Sequence, residues 1–574
     1  MSEVAVDKSP QTQTWQLEDT IACAAIAMAC MFLGLYACSL NHTLYSHKAP
    51  FYDSLSYNQA MAETMAQSKN VGLLPALRDS MNGTTVYFPS IVSAVIGPLA
   101  KPQRDIGVWI QIVELALLSV SLYYLLRRVL HATVLLSACL ILPVLSLKCY
   151  YQLNGGLSDF RMDLSLMLMF GVTCVWYLIA SATNRISHFA ILGAVAGIAI
   201  LFRATAPVYL GIALGPCVLL DLMKSTQRAR FGGRLVLSAS VALLVGGWFL
   251  IVNYKYLHYY YVVWNIDAQA KLPLSQAKMH IEFAADHVGN KLFLVLGLLL
   301  AISLGVRQLI RPKGTVELDS KKEFFELTLS RQICLIWIAV SPTAMLVFKG
   351  AGLNPFVSMP SSLGIVLIAI LYFGRLLAMR TSKRIELVLF VLLGFFVLLQ
   401  AHSGLALHAP GATSPMNGHK LVIQAMVADA KASNMKQVRY GVSYCAEMTA
   451  MSLRNIMTFD MNFDGSDLKL GDFVTDFSMS RYAPAEWDTV AGDTMEAKIR
   501  TLAVSSESTA DYLILPEPET VDFLTIRLPH VVCDKYAGEI RKQLLESPVW
   551  VPISGVIEIM PEEKVRVFKN MSTK

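Results

Sequence analysis

Long apolar stretches alternate with short polar connectors over roughly the first 400 residues of the chain. A helix needs about 20 mostly apolar residues to cross the hydrocarbon core of a bilayer. Helices and closed barrels are the spanning structures that satisfy their own backbone polar groups in lipid. The pattern therefore predicts a polytopic α-helical membrane protein with about eleven transmembrane helices. Their expected positions are 20–40, 107–126, 132–148, 163–182, 187–202, 205–223, 234–253, 292–310, 332–348, 361–379 and 385–401.

A long connector, residues 42–106, follows the first apolar stretch and contains two segments of helical character. Tyr52–Lys69 has helical periodicity, and Tyr87–Leu99 is apolar but too short to cross a bilayer. We expect both segments to form helices that lie on the membrane surface.

Polarity and charge rise after about residue 402. Alternating strands and helices are typical of a small α/β domain. The predicted elements are strands at Gln437–Ser443, Tyr512–Leu515 and Val565–Phe568, and helices at Lys420–Ser433 and Lys535–Leu545. The sequence thus divides into a membrane domain, residues 1–401, and a C-terminal soluble α/β domain, residues 402–574.

Composition agrees with a membrane protein, since 55% of the 574 residues are hydrophobic and only 16% are charged. A soluble globular chain has about a quarter of its residues charged. The net charge of +6 is modest, and no Lys/Arg-rich block is interleaved with aromatic residues, so we expect no nucleic-acid partner.

The basic residues predict the orientation, because cytoplasmic loops carry an excess of Lys and Arg. With a cytoplasmic N-terminus, nearly every dense basic cluster falls on the inner side. These clusters comprise Arg127, Arg128, Arg185, Lys224, Arg228, Arg230, Arg234, Arg307, Arg311, Lys313, Lys321, Lys322, Arg375, Arg380, Lys383 and Arg384. The outer side then receives residues 42–106, 149–162, 254–291, 349–360 and everything after 402.

Candidate chemistry lies on this outer side. Asp53 follows the first span, Asp159, Arg161 and Asp163 stand at the entrance of the fourth, and Arg203 ends the fifth. Ionisable groups near a membrane core are expensive and are therefore functional candidates. A carboxylate can act as a general base on an acceptor, and a guanidinium can hold a phosphate by paired hydrogen bonds.

Structural alternatives stand beside each assignment. Arg161 and Asp163 could form a salt bridge or a helix cap, and Asp53 could cap the surface helix. Glu114, inside the second span, is expected to be a buried hydrogen-bonded group rather than a catalytic one. Aromatic residues at 254–264, including Tyr260 and Trp264, fit either an interfacial belt or the wall of a lipid or sugar site.

Eight of the ten cysteines lie in or beside the spans. The other two, Cys445 and Cys533, belong to the C-terminal domain, where an oxidising compartment would allow them to pair. Two separate buried thiols are the alternative.

Four local patterns, in this order, resemble the GT-C superfamily of polyprenyl-phosphate-sugar glycosyltransferases. They are closest to its protein O-mannosyltransferase and lipid A aminoarabinose transferase branch. The patterns are Phe51-Tyr52-Asp53-Ser54-Leu55-Ser56-Tyr57, Tyr87-Phe88-Pro89-Ser90 with the span ending at Arg127-Arg128, Arg161-Met162-Asp163-Leu164, and the small-residue run from Gly193 to Arg203. Two departures are that Ser54 stands where the family often has a second acidic residue, and that Arg203 replaces the common Lys.

The resemblance implies an inverting transfer of a sugar from a polyprenyl-phosphate donor to a glycan, lipid or protein acceptor. Asp53 would serve as the base, with Asp163 as a second catalytic candidate, and Arg203, Arg161 and Lys255 would bind the donor phosphate. Tyr57, Tyr87, Asp159, Tyr260 and Trp264 are the substrate-binding candidates. The resemblance also implies contact with membrane lipids, a bacterial inner membrane, and a periplasmic C-terminal domain.

Metal dependence varies within the superfamily, so a divalent metal is a possible cofactor, but the sequence contains no convincing set of metal ligands. His42 and His47 lie near Asp53 and fit surface positions. A transporter or lipid flippase with an exported accessory domain is the rival function, and a non-catalytic scaffold is a third. No internal repeat, which is common in transporters, is evident.

Overall fold

The structure is a computed structural model that describes most of the membrane domain and part of the C-terminal region. The described residues are 16–47, 53–82, 84–151, 156–157, 160–258, 334–338, 341–342, parts of 359–371, 383–406, 416–442, 450–461, 469–472, 510–517, 546, 548–560 and 563–572.

Helices dominate the first 260 residues. They are α1 (Leu17–His47), α2 (Asp53–Val71), α3 (Leu73–Met81), α4 (Phe88–Ile96), α5 (Asp105–Tyr124), α6 (Val134–Leu145), α7 (Met162–Thr183), α8 (Ile186–Phe202), α9 (Ala206–Lys224), α10 (Arg228–Ala242), α11 (Trp248–Val252) and α12 (Tyr254–His258). One further long helix, α13, covers Lys383–Ala406. Single π-helical turns extend α5 through Val129 and join α10 to α11.

Among the described residues, five helical segments are long and apolar enough to cross a membrane: Leu17–His42, Asp105–Val129, Met162–Thr183, Ala206–Lys224 and Arg228–Val252. Helices α6 and α8 are apolar but shorter. Helix α7 is the central element, since most of its residues are buried and it packs against α5, α8 and α9.

The predicted spans before residue 254 coincide with these helices, and the last predicted span lies within α13. The predicted spans 292–310, 332–348 and 361–379 lie wholly or largely outside the described residues, so the total of about eleven stays a prediction. Tyr260, Trp264, Asp159, Cys445, Cys533 and the helix expected at Lys535–Leu545 are also outside them.

Two of the three helices in the connector of residues 42–106 were expected. Helix α2 matches the periodic segment Tyr52–Lys69, and α4 matches the apolar segment Tyr87–Leu99. Helix α3 between them was not predicted. The three pack on one another, and the Ser68 hydroxyl donates to the Ala94 carbonyl at 2.5 Å.

The C-terminal region contains a mixed sheet. Its strands are β1 (Gln437–Val442), β2 (Lys469–Asp472), β3 (Tyr512–Pro516), β4 (Trp550–Pro552), β5 (Ile557–Met560) and β6 (Glu563–Asn570), with helices α14 (Met416–Ala432) and α15 (Ala450–Phe459). β1 pairs in parallel with β2 and β3, whereas β6 pairs antiparallel with β3, β4 and β5.

The predicted strands at 437, 512 and 565 and the predicted helix at 420 match β1, β3, β6 and α14. Strands β2, β4 and β5 and helix α15 were not predicted from the sequence. This region has a hydrophobic core of its own, in which Val422 and Met426 of α14 pack near Tyr440 and Tyr512 of the sheet. A separate core agrees with an α/β unit distinct from the membrane helices.

A buried arginine attaches this unit to the membrane helices. Arg104, just before α5, donates to both carboxylate oxygens of Asp460 at 2.7 and 2.6 Å and to Asn455 at 2.8 Å. Its guanidinium also lies 4.9 Å from the centre of the Phe459 ring. Because the Arg104 and Asp460 side chains are only 8% and 14% exposed, solvent screens the pair weakly.

We expect Arg104→Ala to loosen the C-terminal unit, because the substitution leaves Asp460 nearly buried without its counter-charge. Removing one partner of a buried pair costs about 3–5 kcal/mol. Limited proteolysis of the solubilised full chain should release the C-terminal unit faster in this variant. Arg78→Ala, at an exposed position of α3, is the control. Equal release from both variants would contradict the attachment.

A second ionic cluster joins α14 to the sheet. Asp429 accepts hydrogen bonds from Lys569 at 2.8 Å and from Tyr512 at 2.6 Å. Burial alone would raise the pKa of Asp429, but the hydrogen bonds from Lys569 and Tyr512 outweigh it and lower the pKa below 3.8. Burial and the bond to Asp429 raise the pKa of Tyr512. The ionised carboxylate therefore stabilises the folded unit.

Since the pKa of Asp429 is lower in the folded state, its contribution is complete above the unfolded pKa and is lost as the pH falls through the folded value. We expect Asp429→Asn to destabilise the unit by about 1.5–3 kcal/mol at neutral pH. The difference from the wild type should shrink as the pH falls below about 4, the pKa of an unfolded Asp. Thermal unfolding of the full chain at a series of pH values measures this difference in stability. Glu558→Gln, at an exposed position of β5, is the control. A pH-independent difference would contradict this account.

Candidate functional site

Helices α7 and α8 bring an acidic and a basic side chain together at one face of the helix bundle. They are consecutive helices joined by a short turn at Asn184, so the start of α7 lies beside the end of α8. Asp163 is in the first turn of α7, and Arg203 follows the last residue of α8. Arg203 Nη2 lies 3.5 Å from Asp163 Oδ1, and both side chains are largely buried. The N-terminal end of a helix also stabilises a carboxylate.

Tyr57 adds a third helix to this pair. Arg203 Nη1 donates to the Tyr57 hydroxyl oxygen at 2.8 Å. The Tyr57 ring meets the Phe160 ring edge-on, with 6.5 Å between centroids. Phe160 has a φ of 44°, a left-handed conformation, just before α7 begins. The guanidinium of Arg203 is therefore oriented by one group from α7 and one from α2.

The main chain around Arg203 is also fixed. The backbone N–H of Tyr87 donates to the carbonyl of Leu201 at 2.7 Å, and that of Ala204 donates to the carbonyl of Thr85 at 3.1 Å. These bonds join the segment before α4 to the end of α8. Arg203 consequently has little freedom to move away from the site.

Helix α5 supports the other side of the site from within the bundle. Gln111 Nε2 donates to the carbonyl oxygen of Arg161 at 2.9 Å, and both residues are buried. One turn earlier, Gly107 lies directly against the Phe160 ring, where a Cβ atom would overlap it. The sequence analysis missed Gln111 and Gly107, although a glutamine inside a predicted span is a signal that could have identified the first.

The other described residues that the sequence singled out lie in different surroundings from Arg203 and Asp163. Tyr87 is buried, donates to the Leu77 carbonyl at 2.8 Å and stacks on Phe249 with 5.5 Å between centroids. These are the contacts of a packing residue. Lys255 is exposed on α12, and Asp53 is the first residue of α2, four positions before Tyr57. Glu114 is buried in α5, one turn after Gln111.

Metal ligands are not grouped in the part of the chain that the structure describes, since no three His, Cys, Asp or Glu side chains there could hold an ion. His42 instead contacts Asp105 at 2.9 Å. His47 belongs to α1, but its side chain is outside the description. The described residues therefore provide no cluster through which a metal-dependent step could be derived.

The sequence matches no protein-family model and no curated protein. The structure resembles that of ArnT from Cupriavidus metallidurans in the apo state, with a TM-score of 0.57 and 11% sequence identity over 96% of this chain and 98% of that one. The chain has the GT-C fold. ArnT from the same organism bound to undecaprenyl phosphate gives a TM-score of 0.53 and 12% identity, over 96% of this chain and 97% of that one. The resemblance drawn from the four sequence patterns is thus confirmed at the level of the fold.

Gly107→Ala tests the support that α5 gives to the segment preceding α7. The added methyl group would push the Phe160 ring, and overpacking of this kind costs about 1–3 kcal/mol. We expect a lower melting temperature of the purified chain. Gly211→Ala in α9 is the matched control, because nothing lies near its Cβ position and alanine favours a helix. Equal melting temperatures for the two variants would contradict the close contact.

Proposed function

We propose that this chain is an integral membrane glycosyltransferase that moves a sugar from a polyprenyl-phosphate donor to a glycan, lipid or protein acceptor on the outer face of the membrane. The observation that carries the proposal is the oriented Arg203, held between Asp163 and Tyr57 at a helix end. The fold supports it, because ArnT with this fold binds undecaprenyl phosphate.

Arg203 suits the phosphate of the lipid donor. A guanidinium offers five N–H donors in a planar arrangement that matches phosphate oxygens. The contacts of Arg203 with Asp163 and Tyr57 involve some of these N–H donors and fix the plane of the guanidinium. Because burial reduces screening by water, the positive charge stabilises the phosphate that leaves during the reaction. Arg161 adds a second positive charge within the same segment as Asp163.

Within this proposal Asp163 is a positioning residue, since its contact is with Arg203. Asp53 remains the candidate for the base. Positions four residues apart share one face of a helix, which puts position 53 on the same side of α2 as Tyr57. Asp53 accepts the proton of the acceptor hydroxyl or amine as that group attacks the anomeric carbon. The bond from this carbon to the phosphate oxygen breaks on the opposite face, and its electron pair leaves with the lipid phosphate, so the configuration inverts.

A transporter or lipid flippase is the second candidate. Transport sites typically lie near the middle of the membrane, between broken helices. Here Asp53, Asp163 and Arg203 lie at helix ends, whereas Gln111 and Glu114 within α5 are enclosed by packed helices. This arrangement favours chemistry at a membrane face. A cytoplasmic N-terminus, a periplasmic C-terminal unit in a bacterial inner membrane, and pairing of Cys445 with Cys533 stay predictions.

Two substitutions separate phosphate binding from catalysis. We expect Arg203→Gln to weaken binding of undecaprenyl phosphate by about tenfold to a hundredfold, because a hydrogen bond to a charged group is lost. Asp53→Asn should bind this lipid normally but fail to release it from a lipid-linked sugar. Native mass spectrometry of the purified chain measures binding, and polyprenyl phosphate released from a bacterial lipid-linked sugar extract measures turnover.

Arg185→Gln, at the opposite end of α8, is the matched control and should leave both measurements unchanged. Full turnover by Asp53→Asn would refute Asp53 as the base. Unchanged lipid binding by Arg203→Gln would refute the phosphate site. A wild-type chain that carries the lipid without ever releasing it from the sugar would favour the flippase.

A further inference from the structure

A cavity of ≈ 550 Å³ lies between α2, α3 and the segment that leads into α4. This volume falls within the roughly 300–1,000 Å³ range of small-molecule sites. Most of the residues that line it have polar side chains, among them Tyr57, Glu63, Gln67, Asp79 and Tyr256.

Two features of these walls suit a sugar ring. Gln67 Nε2 donates to Asp79 Oδ2 at 2.8 Å, which joins α2 to α3. The pair keeps acceptor capacity, because a carboxylate accepts about four hydrogen bonds and an amide oxygen accepts two. Neighbouring hydroxyl groups of the sugar can donate to such oxygens. The rings of Tyr57 and Tyr256 offer apolar faces against which the C–H face of a sugar can pack.

Charge separates this cavity from the phosphate site. Its ionisable carboxylates are Glu63 and Asp79, and no Lys or Arg is among the described residues that line it. Arg203 lies at the Tyr57 end, because the Tyr57 hydroxyl accepts a hydrogen bond from its guanidinium. An anionic group is therefore favoured beside Arg203 and disfavoured beside Asp79. An uncharged or amine-bearing ligand is favoured in the cavity.

We propose that this cavity is the acceptor site and that it binds the sugar ring of a glycan acceptor, either neutral or amine-bearing; this inference rests on the proposed transferase function. Tyr57 is shared by the two sites, so an acceptor ring in the cavity lies next to the donor phosphate. The C-terminal unit also reaches the rim, where Arg454 of α15 lies 3.1 Å from Glu63.

Binding of small probes to the purified full chain tests the inference. The chain is first saturated with undecaprenyl phosphate and then titrated with methyl hexosides, methyl aminohexosides and a serine- and threonine-containing peptide, with binding followed by saturation-transfer NMR. We expect the glycosides to bind and the peptide to fail. Asp79→Asn and Gln67→Ala should each weaken glycoside binding, and Asp79→Asn by about tenfold or more, since it removes a charged acceptor. Both variants should bind undecaprenyl phosphate like the wild type.

Glu18→Gln, at an exposed position of α1, is the matched control for a lost carboxylate. Glu63 is a poorer test, because its substitution also breaks the contact with Arg454. Glycoside binding that is equal in the wild type and Asp79→Asn would overturn the inference, as would binding of the peptide alone. These outcomes differ from failure of the proposed function, in which the wild-type chain would not bind undecaprenyl phosphate or would not release it from a lipid-linked sugar.

Discussion

The guanidinium of Arg203 has to be neutralised and hydrogen-bonded where it is largely withdrawn from water. Burial of an unpaired charge is costly, and the cost falls when a counter-charge and polar partners surround it. Asp163 supplies the charge and Tyr57 the polar partner. Since these partners come from α7 and α2, satisfying one side chain fixes the relation of three helices. The geometry of the site follows from this requirement.

The same principle operates at the junction with the C-terminal unit. Arg104 is buried beside α5 and is satisfied by Asn455, in the middle of α15, and by Asp460, the residue after that helix. A buried arginine tolerates few alternative geometries, because a misplaced partner leaves a charge without compensation. Arg203 therefore connects α2 to α7 and α8, and Arg104 connects the start of α5 to the C-terminal unit. The cavity beside α2 adjoins both, because α2 packs against α15 and its Tyr57 accepts a hydrogen bond from Arg203.

Local patterns in the sequence predicted most of the described elements, because helix and strand periodicities are encoded within a few turns. They also proposed Arg203 and Asp163 as site residues, and the structure brings these two side chains together. They did not identify the pairing, since Arg161 is nearer to Asp163 in sequence, whereas residues two apart at the start of a helix do not face each other. The contacts of Gln111 with Arg161 and of Arg104 with Asp460 depend on tertiary packing. No short-range pattern reports a partner that lies about 50 or 356 residues away.

The order of strands in the sheet has a consequence for biosynthesis. β6 is made after the other five strands, yet it pairs with β3, β4 and β5. Until β6 emerges from the ribosome and pairs, one edge of β3 is unpaired, and β4 and β5 lack the strand with which they pair. Unpaired edges promote aggregation, and incompletely folded domains expose them for longer. The membrane helices are therefore synthesised before the sheet can be completed. During this interval the unpaired strand edges are the part of the chain that chaperones would need to protect from aggregation.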